Sequence, residues 1–140
     1  KKNLIEAQRK TAKKIWEDVV SDAPVRSGEY VSSIQISETE ITKDKITTSI
    51  YSDLPVGGDN PKWAKVPLAC LLEWGTGIKG AISNTFDHGY GYRLTPWCYY
   101  DKYLHMWVTT EGMIARPHFL PALNKNKSYY MDQIEEAMKK

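Results

Sequence analysis

Apolar residues recur at three- and four-residue spacing over residues 2–21 (Ile5, Ala12, Ile15, Trp16, Val19, Val20), with Lys and Arg on the other faces. That periodicity predicts an amphipathic helix. Ala23-Pro24 ends it, because the residue before a proline is driven out of the helical region, and Gly28 then supplies a turn. From Tyr30 to Ser52 the period changes to two. Ile34 and Ile36 alternate with polar residues, as do Ile46, Thr48 and Ile50, so two antiparallel strands joined around Thr42–Lys45 are predicted. Residues 53–62 are rich in Pro, Gly, Asp and Asn and read as a loop. The apolar stretch Trp63–Trp74 reads either as a short helix started by Pro67 or as a buried extended segment, stopped by Gly75-Thr76-Gly77. Residues 78–91 read as an irregular excursion. Two strand-like runs, Tyr92–Tyr100 and Tyr103–Thr110, then flank Asp101-Lys102 as a long hairpin, with Pro96 marking an edge position. Pro117 and Pro121 flank Phe119-Leu120, and residues 120–139 read as a second helix with Leu123, Tyr130, Ile134 and Met138 toward one face.

At 140 residues the chain suits one domain, residues 1–140. Its 19 basic and 17 acidic residues leave a formal +2, too balanced for a dedicated nucleic-acid binder. Residues 1–18 carry six basic side chains (Lys1, Lys2, Arg9, Lys10, Lys13, Lys14) against three acidic (Glu6, Glu17, Asp18), a local +3. A solvated helix face accounts for it, with a nucleic-acid contact as the alternative. No window reaches the ~18 apolar residues of a membrane span, and Lys1–Ile5 lack the apolar segment of a signal peptide. There is no initiator Met, which reads as a trimmed N-terminus. Cys70 and Cys98, without a secretory signal, are expected to be two reduced thiols rather than a disulfide.

Reactive chemistry finds little support in the spacing. Cys98 could be served by His88, His105 or His118, yet nothing places any of them beside it, and a lone Cys between aromatics reads as packing. Three scattered His and two Cys form no metal pattern. Gly89-Tyr90-Gly91 follows no strand and precedes no Gly-Lys-Ser/Thr, so it is not a phosphate loop. No catalytic, cofactor-binding or metal site is predicted, and no cofactor. Glu73 lies within Leu71-Leu72-Glu73-Trp74-Gly75, where full solvation is not expected. A partly buried carboxylate needs a cation or several N–H donors. Arg26 and Arg116 are the isolated arginines beside other apolar segments, so structural ion pairing is the expectation, ahead of general-acid chemistry.

Three stretches in fixed order carry a family resemblance. They are Ala23-Pro24-Val25-Arg26-Ser27-Gly28-Glu29-Tyr30 with Ser33-Ile34, Ala69-Cys70-Leu71-Leu72-Glu73-Trp74-Gly75-Thr76, and Ala115-Arg116-Pro117-His118-Phe119-Leu120-Pro121-Ala122 before the last helix. Together they resemble the minor tail-component proteins of long-tailed double-stranded DNA bacteriophages and prophages, described as tail-completion or head–tail joining proteins. His118 interrupts an Arg-Pro-Phe-Leu motif, and Tyr30 stands where a Leu is usual. The resemblance spans about residues 2–139, with 77–114 as a loosely matching, variable loop and hairpin insertion. It implies an α+β fold, a small antiparallel sheet packed against an N-terminal and a C-terminal helix. It also implies a non-enzymatic virion protein, assembled in the bacterial cytoplasm into a neck or tail-end ring, six subunits being the family's number. Such a ring joins tail to head, contacts connector and tail-tube proteins, and passes DNA through its lumen without reading its sequence. Pro24, Arg26, Gly28, Glu73, Gly75, Thr76, Arg116, Pro117 and Phe119 are then scaffold positions.

The aromatic content sharpens this expectation. Nine Tyr and five Trp stand against two Phe, and eight of the sixteen aromatics fall between Phe86 and Trp107. Over residues 75–110 the charged groups are only Lys79, Asp87, Arg93, Asp101 and Lys102. Aromatic enrichment with charge depletion marks an interface centre, so Tyr92, Trp97, Tyr99, Tyr103, His105 and Trp107 are the candidate subunit or partner surface. Full burial of Trp97 and Trp107 within one subunit would refute it. The alternatives are a nucleic-acid module, stacking bases on the hairpin beside the basic helix, and a thiol- or metal-dependent hydrolase.

Overall fold

A computed structural model describes residues 1–25, 28–57, 64–84 and 91–139. The chain forms an α+β fold of helices and small two-stranded antiparallel sheets, its C-terminal helices packed against the N-terminal one. Helix α1 (Lys2–Asp22) follows the apolar periodicity and stops at Ala23, whose extended backbone leads into Pro24. Its buried side carries Ala7, Thr11, Ala12 and Val19. Gly28, at φ 80°, turns the chain into a one-turn helix, α2 (Glu29–Ser33), where two-residue alternation predicts strand from Tyr30 onward. The turn buries the Tyr30 ring in the core, which is why local alternation does not prevail there.

Strands β1 (Ile34–Ile36), β2 (Glu40–Ile41), β3 (Ile46–Thr47) and β4 (Ile50–Ser52) form one interrupted hairpin, β1 pairing with β4 and β2 with β3. At the interruption hydroxyls replace ladder partners. The Ser49 N–H donates to Ser37 Oγ at 2.9 Å, and Thr39 and Thr48 share a hydroxyl bond of 3.0 Å. The turn closes through the Thr42 N–H to the Lys45 carbonyl at 2.9 Å, at the predicted place. Of the two readings of the next apolar stretch, helix holds, as α3 (Leu68–Trp74) with Pro67 at its N-cap. Helix α4 (Gly77–Ser83) takes the start of the stretch expected to be irregular, 78–91, of which 85–90 lie outside the described residues.

The later hairpin is β5 (Trp97–Asp101) against β6 (Met106–Thr110), with Tyr99 opposite Val108 and Tyr100 opposite Trp107. It is shorter than the predicted runs, since 92–96 lie outside the ladder and 102–105 form the turn. A short strand, β7 (Gly112–Met113), follows. The predicted last helix is two, α5 (Phe119–Lys125) and α6 (Lys127–Lys139). Between them the Asn126 amide N–H donates to Asp18 Oδ2 at 2.6 Å and to the Ala122 carbonyl at 2.8 Å. That tie to α1 explains the break, because a buried amide must be satisfied.

The core gathers Val19, Ala23, Tyr30, Ile34 and Ala122, flanked by Trp16, Ile50, Leu72 and Phe119. Trp16 also donates its indole N–H to the Ile34 carbonyl at 3.0 Å, joining helix to sheet. Among the described residues no helix is long and apolar enough to cross a membrane.

Candidate partner interface

The scaffold that carries the hairpin is built around Glu73, which α3 delivers into the interior. Its Oε2 accepts the His118 N–H at 2.7 Å and the Phe119 N–H at 3.0 Å, and Oε1 accepts the Leu120 N–H at 2.9 Å. A helix leaves its first backbone N–H groups without internal partners. Here a carboxylate from a different helix takes them at the start of α5, and Pro121 contributes no N–H to the same turn. The expected arginine partner is therefore corrected. Arg116 is exposed, its backbone N–H bonding to the Leu72 carbonyl at 2.7 Å, and no ion pair links it to Glu73. Arg26 lies outside the described residues.

His118 completes the node and is fully buried. Its Nδ1 lies 2.8 Å from the Arg116 carbonyl and 3.2 Å from Glu73 Oε2, so that nitrogen carries a proton between two oxygens. Nε2 is then the acceptor for the Tyr30 O–H at 2.5 Å, a tautomer assigned from the hydrogen-bond network. Both ring nitrogens are occupied and none of the ring faces solvent. The arrangement resembles an acid–base relay but presents no atom to a substrate; it holds the backbone before α5 in place. The residue that interrupts the sequence motif is thus one of the most deeply packed. Only its setting between Pro117 and Phe119 hinted at that.

Burial pushes the Tyr30 phenol well above its ordinary value of 10.0, with the negative charge of Glu73 adding to the effect. Above that ordinary value the unfolded chain releases a proton that the folded chain keeps. Stability from this group is therefore full below pH 10 and drains as pH rises from there toward the native value. Tyr30→Phe is expected to flatten the alkaline limb of a Tm-against-pH profile; an unchanged limb would refute the assignment. Burial likewise pushes the Cys70 thiol up, away from the thiolate a nucleophile needs.

Glycine-mediated contact then fixes the base of the hairpin. Thr76 and Gly77 bridge to Met113 and Gly112, and Thr76 Oγ1 accepts the Met113 N–H at 3.0 Å. The indole of Trp97 lies so close to Gly77 that a Cβ there would sit 2.7 Å from it, and the Arg93 guanidinium lies over the indole, 5.3 Å from the ring centre. Tyr92 donates its hydroxyl to the Trp74 carbonyl at 2.7 Å with its ring beside Gly80. Tyr92 and Trp97 are half-buried and make these contacts within their own chain.

The remaining candidates face outward. Tyr103 is 93% exposed and Trp107 70%, with Tyr99 and His105 also exposed. Tyr100, Leu104 and Met106 are exposed as well; Tyr100 shares the Trp107 face of the hairpin, where the two rings pack edge-on with centroids 5.8 Å apart, and Met106 shares the Tyr99 face. Asp101 Oδ1 accepts the N–H groups of Tyr103 at 2.9 Å and Leu104 at 3.0 Å, while His105 takes φ 52°. The tip is thus held by its own turn chemistry. Phe86, His88 and Tyr90 lie outside the described residues.

The other chemistry stays dispersed. Cys98 is exposed and sits 3.3 Å from the Thr109 hydroxyl, and both cysteines are free thiols. Among the described residues no three His, Cys, Asp or Glu side chains converge as metal ligands would. Of the basic helix face, Lys14 is engaged within the chain, its ammonium 3.9 Å from the centre of the Tyr129 ring. Comparison with protein-family models, with curated proteins and with solved structures finds no match to this chain.

Proposed function

We propose that this chain is a non-enzymatic structural subunit of a phage virion, part of the neck or tail-end ring that joins tail to head and lets DNA pass. The observation that carries the reading is the hairpin, a charge-poor, two-stranded projection that leaves Tyr99, Tyr100, Tyr103, Leu104, Met106 and Trp107 in water. An isolated two-stranded hairpin is marginally stable, and large apolar side chains clustered on one cost solubility, so a covering surface accounts for both. The ordered motifs around Pro24, Glu73-Trp74-Gly75-Thr76 and Arg116-Pro117-His118-Phe119 supply the resemblance to tail-completion proteins. Their described residues act as scaffold, which suits an assembly protein. The neighbours in such a particle are further copies of this chain, a connector protein and a tail-tube protein.

Disrupting the gene in the phage or prophage that carries it tests this. Heads and tails are expected to accumulate unjoined in electron micrographs, with wild-type expression restoring joined particles. Normal joined, infectious particles from the disrupted strain would overturn the reading.

A further inference from the structure

A second charge-poor surface lies elsewhere on the same chain. A groove of about 520 Å³ runs between α1, the Thr48–Ile50 segment and helices α5 and α6. Its apolar lining includes Ile15, Ile50, Phe119, Leu123 and Tyr130, and Lys127 is its one charged lining residue among those described. Leu123 is 53% exposed there.

We propose that this groove receives the hairpin tip of a second copy of the chain, residues 102–107, as the subunit contact of the ring. The proposal rests on the ring reading above and names its interface. The tip offers what the groove lacks. Leu104 and Trp107 supply apolar bulk for Ile15, Leu123 and Phe119. Both surfaces are depleted in charge on a chain that is 26% charged, the composition of an interface centre. Knob and hole occupy separate residues of one chain, so the contact is head-to-tail. Only that class of interface propagates around a ring, whereas a face that pairs with itself stops at a dimer.

Two single variants at exposed positions test it, with thermal melts confirming that each folds. Leu104→Glu breaks the knob and leaves the hole, and Leu123→Glu does the reverse. In sedimentation experiments the wild type is expected to form closed oligomers, and each variant alone to self-associate about 30-fold more weakly. An equimolar mixture of the two variants is expected to recover a dimer that grows no further, because one intact knob meets one intact hole. A mixture that stays monomeric overturns the pairing. If Leu123→Glu assembles as the wild type does while Leu104→Glu fails, the pairing falls but the ring reading stands. A wild type that stays monomeric at every concentration also overturns the pairing, and the head–tail joining test then decides the ring reading on its own.

Discussion

Glu73→Ala is expected to cost the fold about 3–5 kcal/mol, because it strips a shared acceptor from several buried donors. Three backbone N–H groups, those of His118, Phe119 and Leu120, would lose their acceptor at once. Each buried donor left without a partner costs about 1–3 kcal/mol, and the effects are not additive because the first turn of α5 can shift to admit water. His118 would keep the Arg116 carbonyl and Tyr30 but lose the carboxylate 3.2 Å away. Glu73→Gln retains an acceptor oxygen while turning an amide N–H₂ toward N–H donors, so an intermediate loss is expected. Denaturant unfolding followed by circular dichroism reads both. A loss below about 1 kcal/mol for Glu73→Ala would show that the first turn of α5 does not depend on this carboxylate.

Glu73 marks the boundary of what the sequence makes legible. That a carboxylate among Leu71, Leu72 and Trp74 must be satisfied follows from its neighbours alone. Which groups satisfy it does not, because the donors are backbone amides 45 to 47 positions away and carry no side-chain signature. Arginine was the visible candidate, and arginine was wrong for Arg116. The same contrast runs through the fold. Helix α1 is long, and its apolar stripe alone declares it. Helix α4 contains Gly77 and Gly80, poor helix formers, and forms because those glycines let Trp97 and Tyr92 press onto the backbone. The break between α5 and α6 depends on Asp18, 108 positions from Asn126. At the hairpin, aromatic density located the exposed surface in sequence. The division of that set into half-buried Trp97 and Tyr92 and exposed Tyr99, Tyr103, His105 and Trp107 required the contacts around the glycines.

Those glycines set the second large expected effect. Gly75 ends α3 at φ 72° and ψ −175°, a region open essentially to glycine alone. A Cβ there would lie 2.5 Å from the Met113 carbonyl oxygen and 2.6 Å from the Ala115 nitrogen, backbone atoms that cannot swing aside. Gly112, at φ 103°, would place a Cβ 1.9 Å from the Thr76 carbonyl oxygen. Strain at one such conformation costs about 1–3 kcal/mol and forced overpacking about as much again, so Gly75→Ala and Gly112→Ala are each expected to lose roughly 3 kcal/mol or more. The damage has a direction. Residues 72–80 and 111–116 clamp the base of the hairpin through the Lys79 N–H to Glu111 carbonyl bond and the Arg116 N–H to Leu72 carbonyl bond, so opening that crossing releases β5 and β6 from the scaffold. Amide hydrogen exchange is expected to rise first at Lys79, Met113, Ala115 and Arg116, while the buried face of α1 stays protected. A Gly112→Ala variant that retains wild-type stability and protection there would mean that the crossing yields without cost. The hairpin would then be held on the scaffold by something other than this clamp.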